Sequence, residues 1–211
     1  MDATLPEKFY TAHQKYQNDI DVRAERVDRR NLEKYATDFA QVYNKAWAQH
    51  EGNKQISAEK AIGLFKKMKP IIDPDLMWFT YFKDEPVAVW LSIPDLNQIF
   101  RHFNGKFGAW EKLKLLWYKY TGECSRFVGI VYGIIPEWQG SGIDHYMIVE
   151  ATKILQSKKR YKELELQWQG DFNPKMLAIS RNLGCNESRK LATFRYLFDQ
   201  TIVFERHPML Y

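Results

Sequence analysis

The chain has 211 residues, of which 45% are hydrophobic and 27% charged, a balance typical of one globular domain or two small ones. Its two cysteines exclude a disulfide framework, and no run of about 18 apolar residues predicts a membrane-spanning helix. The N-terminus has no basic stretch followed by an apolar run, so we expect no secretory signal and a cytoplasmic protein. The net charge of +5 is compatible with an anionic partner.

The first half of the chain alternates between helical and strand patterns. Apolar residues that recur every three or four positions predict helices, and strict alternation of apolar and polar residues predicts strands. The predicted elements are a short helix or tail over 1–19, a strand over 20–27, a helix over 31–50 stopped by Gly52, a helix from the cap Ser57 to before Pro70, and strands over 76–82 and 86–93. We therefore expect one domain over 20–211.

The second half begins with an aromatic-rich helical insert over 97–120 and then returns to strands and helices. The predicted elements are a strand over 126–135, a helix over 143–156, a strand over 164–169, a helix over 175–183 stopped by Gly184, a strand over 189–198 and one more over 201–204. This order predicts a three-layer α/β (α+β) fold, in which helices flank a central mixed sheet of six or seven strands.

The turn Gln139-Gly140-Ser141-Gly142 lies between a hydrophobic strand and a helix. Such a turn presents backbone N–H groups at a helix N-terminus, where glycines permit the close approach of a phosphate and the helix dipole favours an anion. A Gly-x-Gly sequence is also common in plain tight turns. In this strand–turn–helix context, the sequence predicts a phosphate-binding site.

Residues 134–143 closely resemble the acyl-CoA signature of the GNAT acetyltransferase superfamily, which is an Arg or Gln, two residues, Gly, one residue, and Gly or Ala. Asn173, followed by a short helix that ends at Leu183-Gly184, resembles the second landmark of that family. The order of elements over 20–204 resembles the family as well. The resemblance implies transfer of an acyl group from acetyl-CoA, or another acyl-CoA, to an amine in a ternary complex, without a metal.

The resemblance also implies functions for individual residues. Backbone groups of Ile134 and Ile135 would pair with the pantetheine arm, and Asn173 would lie at the mouth of the gap between two splayed strands. The residues implied around the pyrophosphate are Gln139, Gly140, Ser141, Gly142, Ile143 and Asp144. Asn173, Ser180 and Asp95 are the candidate catalytic residues.

The sequence departs from the family pattern at three points. Asp144 replaces the last Gly or Ala of the signature, and a carboxylate there repels a pyrophosphate unless it points away. Ser180 replaces the tyrosine that protonates the thiolate, and the strand 126–135 carries no carboxylate base. These departures favour an alternative hypothesis, in which the chain is a catalytically degenerate GNAT-fold module that binds CoA or a partner.

Other residues carry weaker signals. Asp95 is either a base that faces the acceptor or the cap of the insert, and Glu137, Asp171 and His145 are further polar candidates near the turn. The insert combines basic residues with an aromatic stripe, which predicts packing as a core or lid, a membrane-surface helix, or single-stranded nucleic-acid binding. Packing as a core or lid is the favoured interpretation, and binding to nucleic acid is not favoured. The scattered histidines predict no metal site. A second domain or a homo-oligomer remains open.

Overall fold

A computed structural model describes residues 4–47, 54–122, 124–203, 205 and 209 of the chain. The chain forms two compact units, one that ends at Leu166 and one that begins at Gln167. The first unit contains the sheet and the glycine turn. The described residues of the second contain one helix and a long irregular segment.

The first unit has six helices and five strands among its described residues. The helices are α1 (Glu7–Tyr16), α2 (Leu32–Ala46), α3 (Ala58–Met68), α4 (Asn97–Phe100), α5 (Ala109–Thr121) and α6 (Ile143–Lys158). The strands are β1 (Val22–Arg26), β2 (Met77–Phe82), β3 (Glu85–Pro94), β4 (Arg126–Ile134) and β5 (Glu163–Leu166). Short 3-10 turns at Pro74–Leu76 and Pro136–Trp138 precede β2 and α6.

The five strands form one mixed sheet in the order β1-β2-β3-β4-β5. The first four are antiparallel neighbours, and β5 runs parallel to β4. The connection from β4 to β5 passes through α6, as parallel neighbours require a crossover. The glycine turn lies at the start of that crossover, so the sheet topology places it beyond the carboxyl end of β4.

Helices cover both faces of the sheet. On one face α2 packs through Tyr35, whose ring lies 5.4 Å from that of Phe79 on β2. Tyr81 contacts the same helix and donates a hydrogen bond to Asp38 over 2.6 Å. Because side chains alternate along a strand, the adjacent Phe82 points to the other face, where its ring lies 4.9 Å from that of Trp138, before α6. The predicted three-layer α/β fold is confirmed.

Most elements lie where their patterns predicted them, with shifted ends. The N-terminal segment, predicted as a short helix or a tail, contains the helix Glu7–Tyr16, and the predicted insert 97–120 contains two helices separated at Gly105 and Gly108. The last predicted strand of the first unit is shorter than expected and ends at Leu166. The predicted helix end at His50 and the stop at Gly52 lie outside the described residues.

The second unit contains α7 (Pro174–Asn182), which matches the predicted helix, and Gly184 follows it with the left-handed φ of 73°. The strand predicted over 189–198 is wrong, since that segment is irregular and Phe194 and Phe198 are more than 90% exposed. Alternation produces a strand only when a sheet edge is available for pairing. The described residues 201–203 form no strand either, and Phe204 lies outside the described residues. The described sheet therefore has five strands, not six or seven.

Candidate functional site

The sheet opens between β4 and β5. The parallel pairing joins residues Arg126–Gly129 to Glu163–Leu166 and stops there, while β4 continues to Ile134. In the described part of the chain, no strand pairs with β4 on this side from Ile130 onward. The edge of β4 thus offers backbone donors and acceptors to an extended ligand, as an exposed sheet edge does for a peptide strand.

A β-bulge lies where this opening begins. Leu91 pairs with Val131 and Ser92 pairs with Gly129, so Ile130 is an extra residue on β4. The side chain of Ile130 is 46% exposed, although its strand neighbours are largely covered. Bulges bend a strand and redirect its side chains and peptide groups, and they are enriched next to active sites. The sequence contained no sign of this bulge, because it arises from the register with β3.

The glycine turn has the geometry of an anion site. Gly140 and Gly142 have φ values of 72° and 86°, a left-handed conformation that favours glycine. The Ser141 hydroxyl donates to the Trp138 carbonyl over 2.7 Å and accepts the Ile143 N–H over 3.2 Å, which closes the turn. No hydrogen bond among the described residues uses the N–H groups of Gly140, Gly142 or Asp144. Three donors are therefore free at the N-terminus of α6.

The carboxylate of Asp144 is bound by a residue of β4. Tyr132 on β4 donates a hydrogen bond of 2.8 Å to its carboxylate, which is largely buried. Burial raises the pKa of Tyr132 well above its usual value, and the negative charge of Asp144 raises it further, so Tyr132 keeps its proton and remains the donor. The repulsion between Asp144 and a pyrophosphate stays a prediction. The sequence hinted at the contact with Tyr132 only through a lone tyrosine in an apolar strand.

Helix α1 packs against the glycine turn. The Tyr16 hydroxyl donates to the carbonyl of Ser141 over 3.1 Å, and Tyr16 is buried. A Cβ atom at Gly142 would lie 2.9 Å from the Cβ of Ala12. The turn is thus held in place by residues from the opposite end of the unit. Nothing in the sequence pointed to this pairing.

The candidate Asp95 lies two residues before the first residue of α4, whose N-cap is Leu96. Its carboxylate accepts the backbone N–H of Asn97 over 3.1 Å and lies 3.7 Å from the guanidinium of Arg126. It is 7% exposed. These contacts give Asp95 a structural function, and its catalytic function stays a prediction.

The second unit contains the other two catalytic candidates. Asn173 caps α7 by accepting the N–H of Met176 over 3.1 Å. The hydroxyl of Ser180 donates to the side chain of Gln169 over 2.7 Å. Both side chains are therefore held within their own unit. Their functions in binding or catalysis stay predictions.

The cysteines and the clusters of polar side chains give no sign of two other chemistries among the described residues. Burial raises the pKa of both the Cys124 and the Cys185 thiols, so neither is an activated nucleophile at neutral pH. No three His, Cys, Asp or Glu side chains in the described part of the chain cluster as metal ligands. No helix there is long and apolar enough to cross a membrane.

Sequence comparison identifies one informative curated relative. No family model matches the chain. A bacterial ceramide synthase from Caulobacter vibrioides is 25% identical over 150 residues, which cover 69% of this chain. The matched region is 39% of that relative, so the chain spans about two fifths of its length.

Structural comparison identifies acetyltransferases. An aminoglycoside acetyltransferase from an uncultured soil metagenomic sample has a TM-score of 0.53 at 13% identity, covering 86% of this chain and 99% of its own. An aminoglycoside N-acetyltransferase in complex with CoA has a TM-score of 0.50 at 10% identity, covering 83% and 94%. A putative acetyltransferase from Agrobacterium tumefaciens has a TM-score of 0.50 at 13% identity, covering 82% and 99%. The chain has the GNAT fold, which confirms at the level of the fold the resemblance drawn from residues 134–143.

Proposed function

We propose that the protein is an acyl-CoA-dependent N-acyltransferase, in which an amine attacks the acyl thioester directly. The observation that carries this proposal is the combination of the open β4 edge with the free N–H groups of the glycine turn. The two features lie at the two ends of the segment 130–142. An extended arm that ends in a pyrophosphate is the ligand they fit.

Each requirement of the proposed reaction is assigned to named groups of the chain. Attack forms the N–C bond and breaks the C–S bond, and the thiol leaves as CoA. Backbone N–H groups over 131–134 that β3 does not use polarise the thioester carbonyl and stabilise the negative charge that develops on its oxygen, whereas the Ile135 N–H donates to the carbonyl of Val87. The amine loses a proton to water or to a carboxylate, and Asp95 is the proposed carboxylate. Ser180 is the proposed donor to the thiolate, and Asn173 the proposed contact at the mouth of the gap.

The proposed acceptor is an amine that carries a long apolar chain. The supporting observation is the similarity over 150 residues to a bacterial ceramide synthase. A ceramide is an N-acylated long-chain amino alcohol, so such an enzyme forms the amide bond proposed here. The acyl donor is then acetyl-CoA or a longer acyl-CoA.

The alternative is a GNAT-fold module that binds CoA or a partner without turnover. The observation that favours it is that Asp95 and Ser180 are both engaged in local hydrogen bonds. The two functions differ in one measurable property. Both allow CoA to bind, but only the enzyme releases free thiol in the presence of an amine.

Binding is tested first, by isothermal titration with acetyl-CoA and with CoA. We expect saturable binding that Gly140→Glu abolishes, because a Cβ atom at Gly140 meets nothing within 4 Å and the new carboxylate would repel a phosphate bound at the turn. Gly105→Glu is the matched control, since Gly105 also has a positive φ and is exposed, but lies outside the turn. No binding at millimolar ligand, or equal losses in both variants, would overturn the proposed cofactor site.

Turnover is tested by thiol release from acyl-CoA with long-chain amino alcohols, short amines and aminoglycosides as acceptors. If Ser180 donates a proton in the rate-limiting step, Ser180→Ala lowers kcat by about a hundredfold and leaves the KM for acyl-CoA unchanged. Ser157→Ala is the control, because Ser157 also hydrogen-bonds a carbonyl of its own helix. Unchanged turnover would remove Ser180 from the mechanism. Binding without release of thiol from any acceptor would favour the module.

A further inference from the structure

Helix α5 has an inner and an outer face that are both apolar. On the inner face Leu115 and Tyr118 pack against a small buried cluster formed by Ile99, Phe103 and Cys124. The outer face is exposed to solvent. Its large apolar residues are between 58% and 65% exposed: Trp110, Leu113, Leu116 and Trp117. The inner contacts already hold the helix on the first unit, so the outer face is not needed for that packing.

The outer face is bordered by positive charge. Lys106, Lys112 and Lys114 lie before and along the helix. The acidic residue of its first turn is Glu111, whose carboxylate accepts the N–H of Gly108 over 2.8 Å and so caps the helix. With 13 residues, α5 is about 20 Å long. A capped helix with an apolar face and flanking lysines has the composition of helices that lie in a membrane interface.

We propose that the outer face of α5 docks onto an anionic lipid bilayer. Trp110 and Trp117 are seven residues apart and therefore share one side of the helix, at the depth of the headgroups. Leu113 and Leu116 enter the acyl region, while the lysine stems extend to the lipid phosphates. This inference goes beyond the proposed function and does not rest on it.

The composition of the face favours lipid over two other occupants. Single-stranded nucleic acid binds by stacking bases on aromatic rings, and Leu113 and Leu116 offer no such ring. A second copy of the chain packed through the same face would bring Lys112 and Lys114 near the lysines of the other copy, which is electrostatically unfavourable. An anionic bilayer matches both the leucines and the lysines.

The apolar contribution is tested by co-sedimentation of the full chain with vesicles of phosphatidylglycerol and phosphatidylcholine in equal parts. Trp110→Ser with Trp117→Ser should lower the partition coefficient by about a hundredfold, since each exposed indole gains roughly tenfold on burial. Trp168→Ser with Phe194→Ser is the matched control, because both residues are exposed and lie outside α5. The control should bind as the unsubstituted chain does.

The charge contribution is tested with Lys112→Glu and Lys114→Glu, compared with Lys60→Glu and Lys67→Glu on α3. Both double variants carry the same net charge, and Lys60 and Lys67 are exposed. The α5 variant should bind the anionic vesicles at least about twentyfold more weakly than the unsubstituted chain does. The α3 variant should lose much less binding, because charges more than about 8 Å from the membrane surface are screened. Phosphatidylcholine alone should bind the unsubstituted chain weakly.

Several outcomes would overturn the proposal. One is that the unsubstituted chain does not sediment with anionic vesicles, and another is that the α5 variants and their controls lose vesicle binding equally. A third is that the α5 variants lose single-stranded RNA binding but keep vesicle binding. A dimer in gel filtration that only the tryptophan variant dissociates would assign the face to a second copy. Unchanged thermal melting of the variants shows that the chain is still folded, as expected for exposed positions.

Discussion

At the scale of single residues, the turn depends on backbone conformations that few side chains tolerate. Gly142 combines a φ of 86° with the close approach of Ala12 on α1. An added methyl group therefore meets both backbone strain and a steric contact. Tyr132 adds a second local contact, since its hydroxyl fixes the carboxylate of Asp144. The proposed anion site thus depends on backbone conformation, without a cationic side chain from the turn itself.

Gly142→Ala is predicted to lower the free energy of unfolding by about 1–2 kcal/mol and to weaken acyl-CoA binding. The control is Gly63→Ala within α3, where a Cβ atom would meet nothing within 4 Å. That substitution should raise stability by about 0.5–1 kcal/mol, because alanine is the better helix former. Urea denaturation measures the free energy of unfolding of both variants. A stable Gly142→Ala variant would mean that the turn adjusts freely.

Asp144→Asn is predicted to strengthen acyl-CoA binding by about fivefold, because removal of a nearby negative charge is worth about 1 kcal/mol even in a water-like environment. Tyr132→Phe should have the opposite effect, since it releases the carboxylate toward the phosphate site. Titration calorimetry distinguishes the two. Equal affinities in both variants and the unsubstituted chain would show that the pyrophosphate does not lie near Asp144.

At the scale of elements, the docking of α1 on α6 positions the start of the crossover. His13 Nε2 lies 2.6 Å from the carboxylate of Glu150, and Lys153 donates to the same oxygen over 2.7 Å. Burial by itself would raise the pKa of Glu150, but the hydrogen bonds from Lys153 and His13 outweigh it and lower that pKa. The charged carboxylate therefore stabilises the contact between the two helices.

This arrangement predicts a pH-dependent stability. The folded-state pKa of Glu150 lies below its unfolded value of about 4.3, so its stabilisation is complete above that value and is lost as pH falls through the lower folded pKa. Glu150→Gln should lower the free energy of unfolding by about 1 kcal/mol at neutral pH. The difference in unfolding free energy between this variant and the unsubstituted chain should shrink in acid. Urea denaturation across pH 7 to about 3 measures it.

The matched control for this prediction is Glu187→Gln, because Glu187 is exposed in the second unit. Its unfolding free energy should follow that of the unsubstituted chain at every pH. A constant difference between Glu150→Gln and the unsubstituted chain would contradict the assigned pKa shift.

At the scale of the whole molecule, the candidate site is assembled from distant parts of the first unit. Tyr16 and Ser141 are 125 positions apart in the chain and joined by one hydrogen bond. The turn also depends on the register of β4 with β3, which creates the bulge at Ile130. The site therefore forms only when the N-terminal helix, the sheet and the crossover helix are packed together.

Tyr16→Phe tests this long-range support. The variant should lose about 1 kcal/mol of stability and bind acyl-CoA several times more weakly, because the carbonyl of Ser141 loses its fixed donor. Tyr10→Phe on the same helix is the control, since Tyr10 is 39% exposed. Reduced stability with unchanged affinity would show that Tyr16 stabilises the fold without positioning the turn.

The features that the sequence determined are local ones. The periodicity of residues 31–50 predicted a helix, of which the structure describes α2, and the capping function of Ser57 is confirmed by its hydrogen bond to the N–H of Lys60. Gly140 and Gly142 predicted the turn correctly, because a left-handed backbone is permitted or excluded by the residue itself and its neighbours. Helices and tight turns depend on groups a few positions apart, so a pattern of a few residues is enough to identify them.

The features that only the tertiary structure decided depend on distant partners. The apolar alternation over 189–198 produced no strand, because a strand also needs pairing with another strand, and the pattern within the segment does not specify that partner. The end of β5 at Leu166, the bulge at Ile130 and the pairing of Tyr132 with Asp144 likewise arise from register and packing. The backbone groups of a strand form their hydrogen bonds with another strand, whereas those of a helix form them within the helix. The sequence alone therefore determined the helices and the turn better than the edges of the sheet.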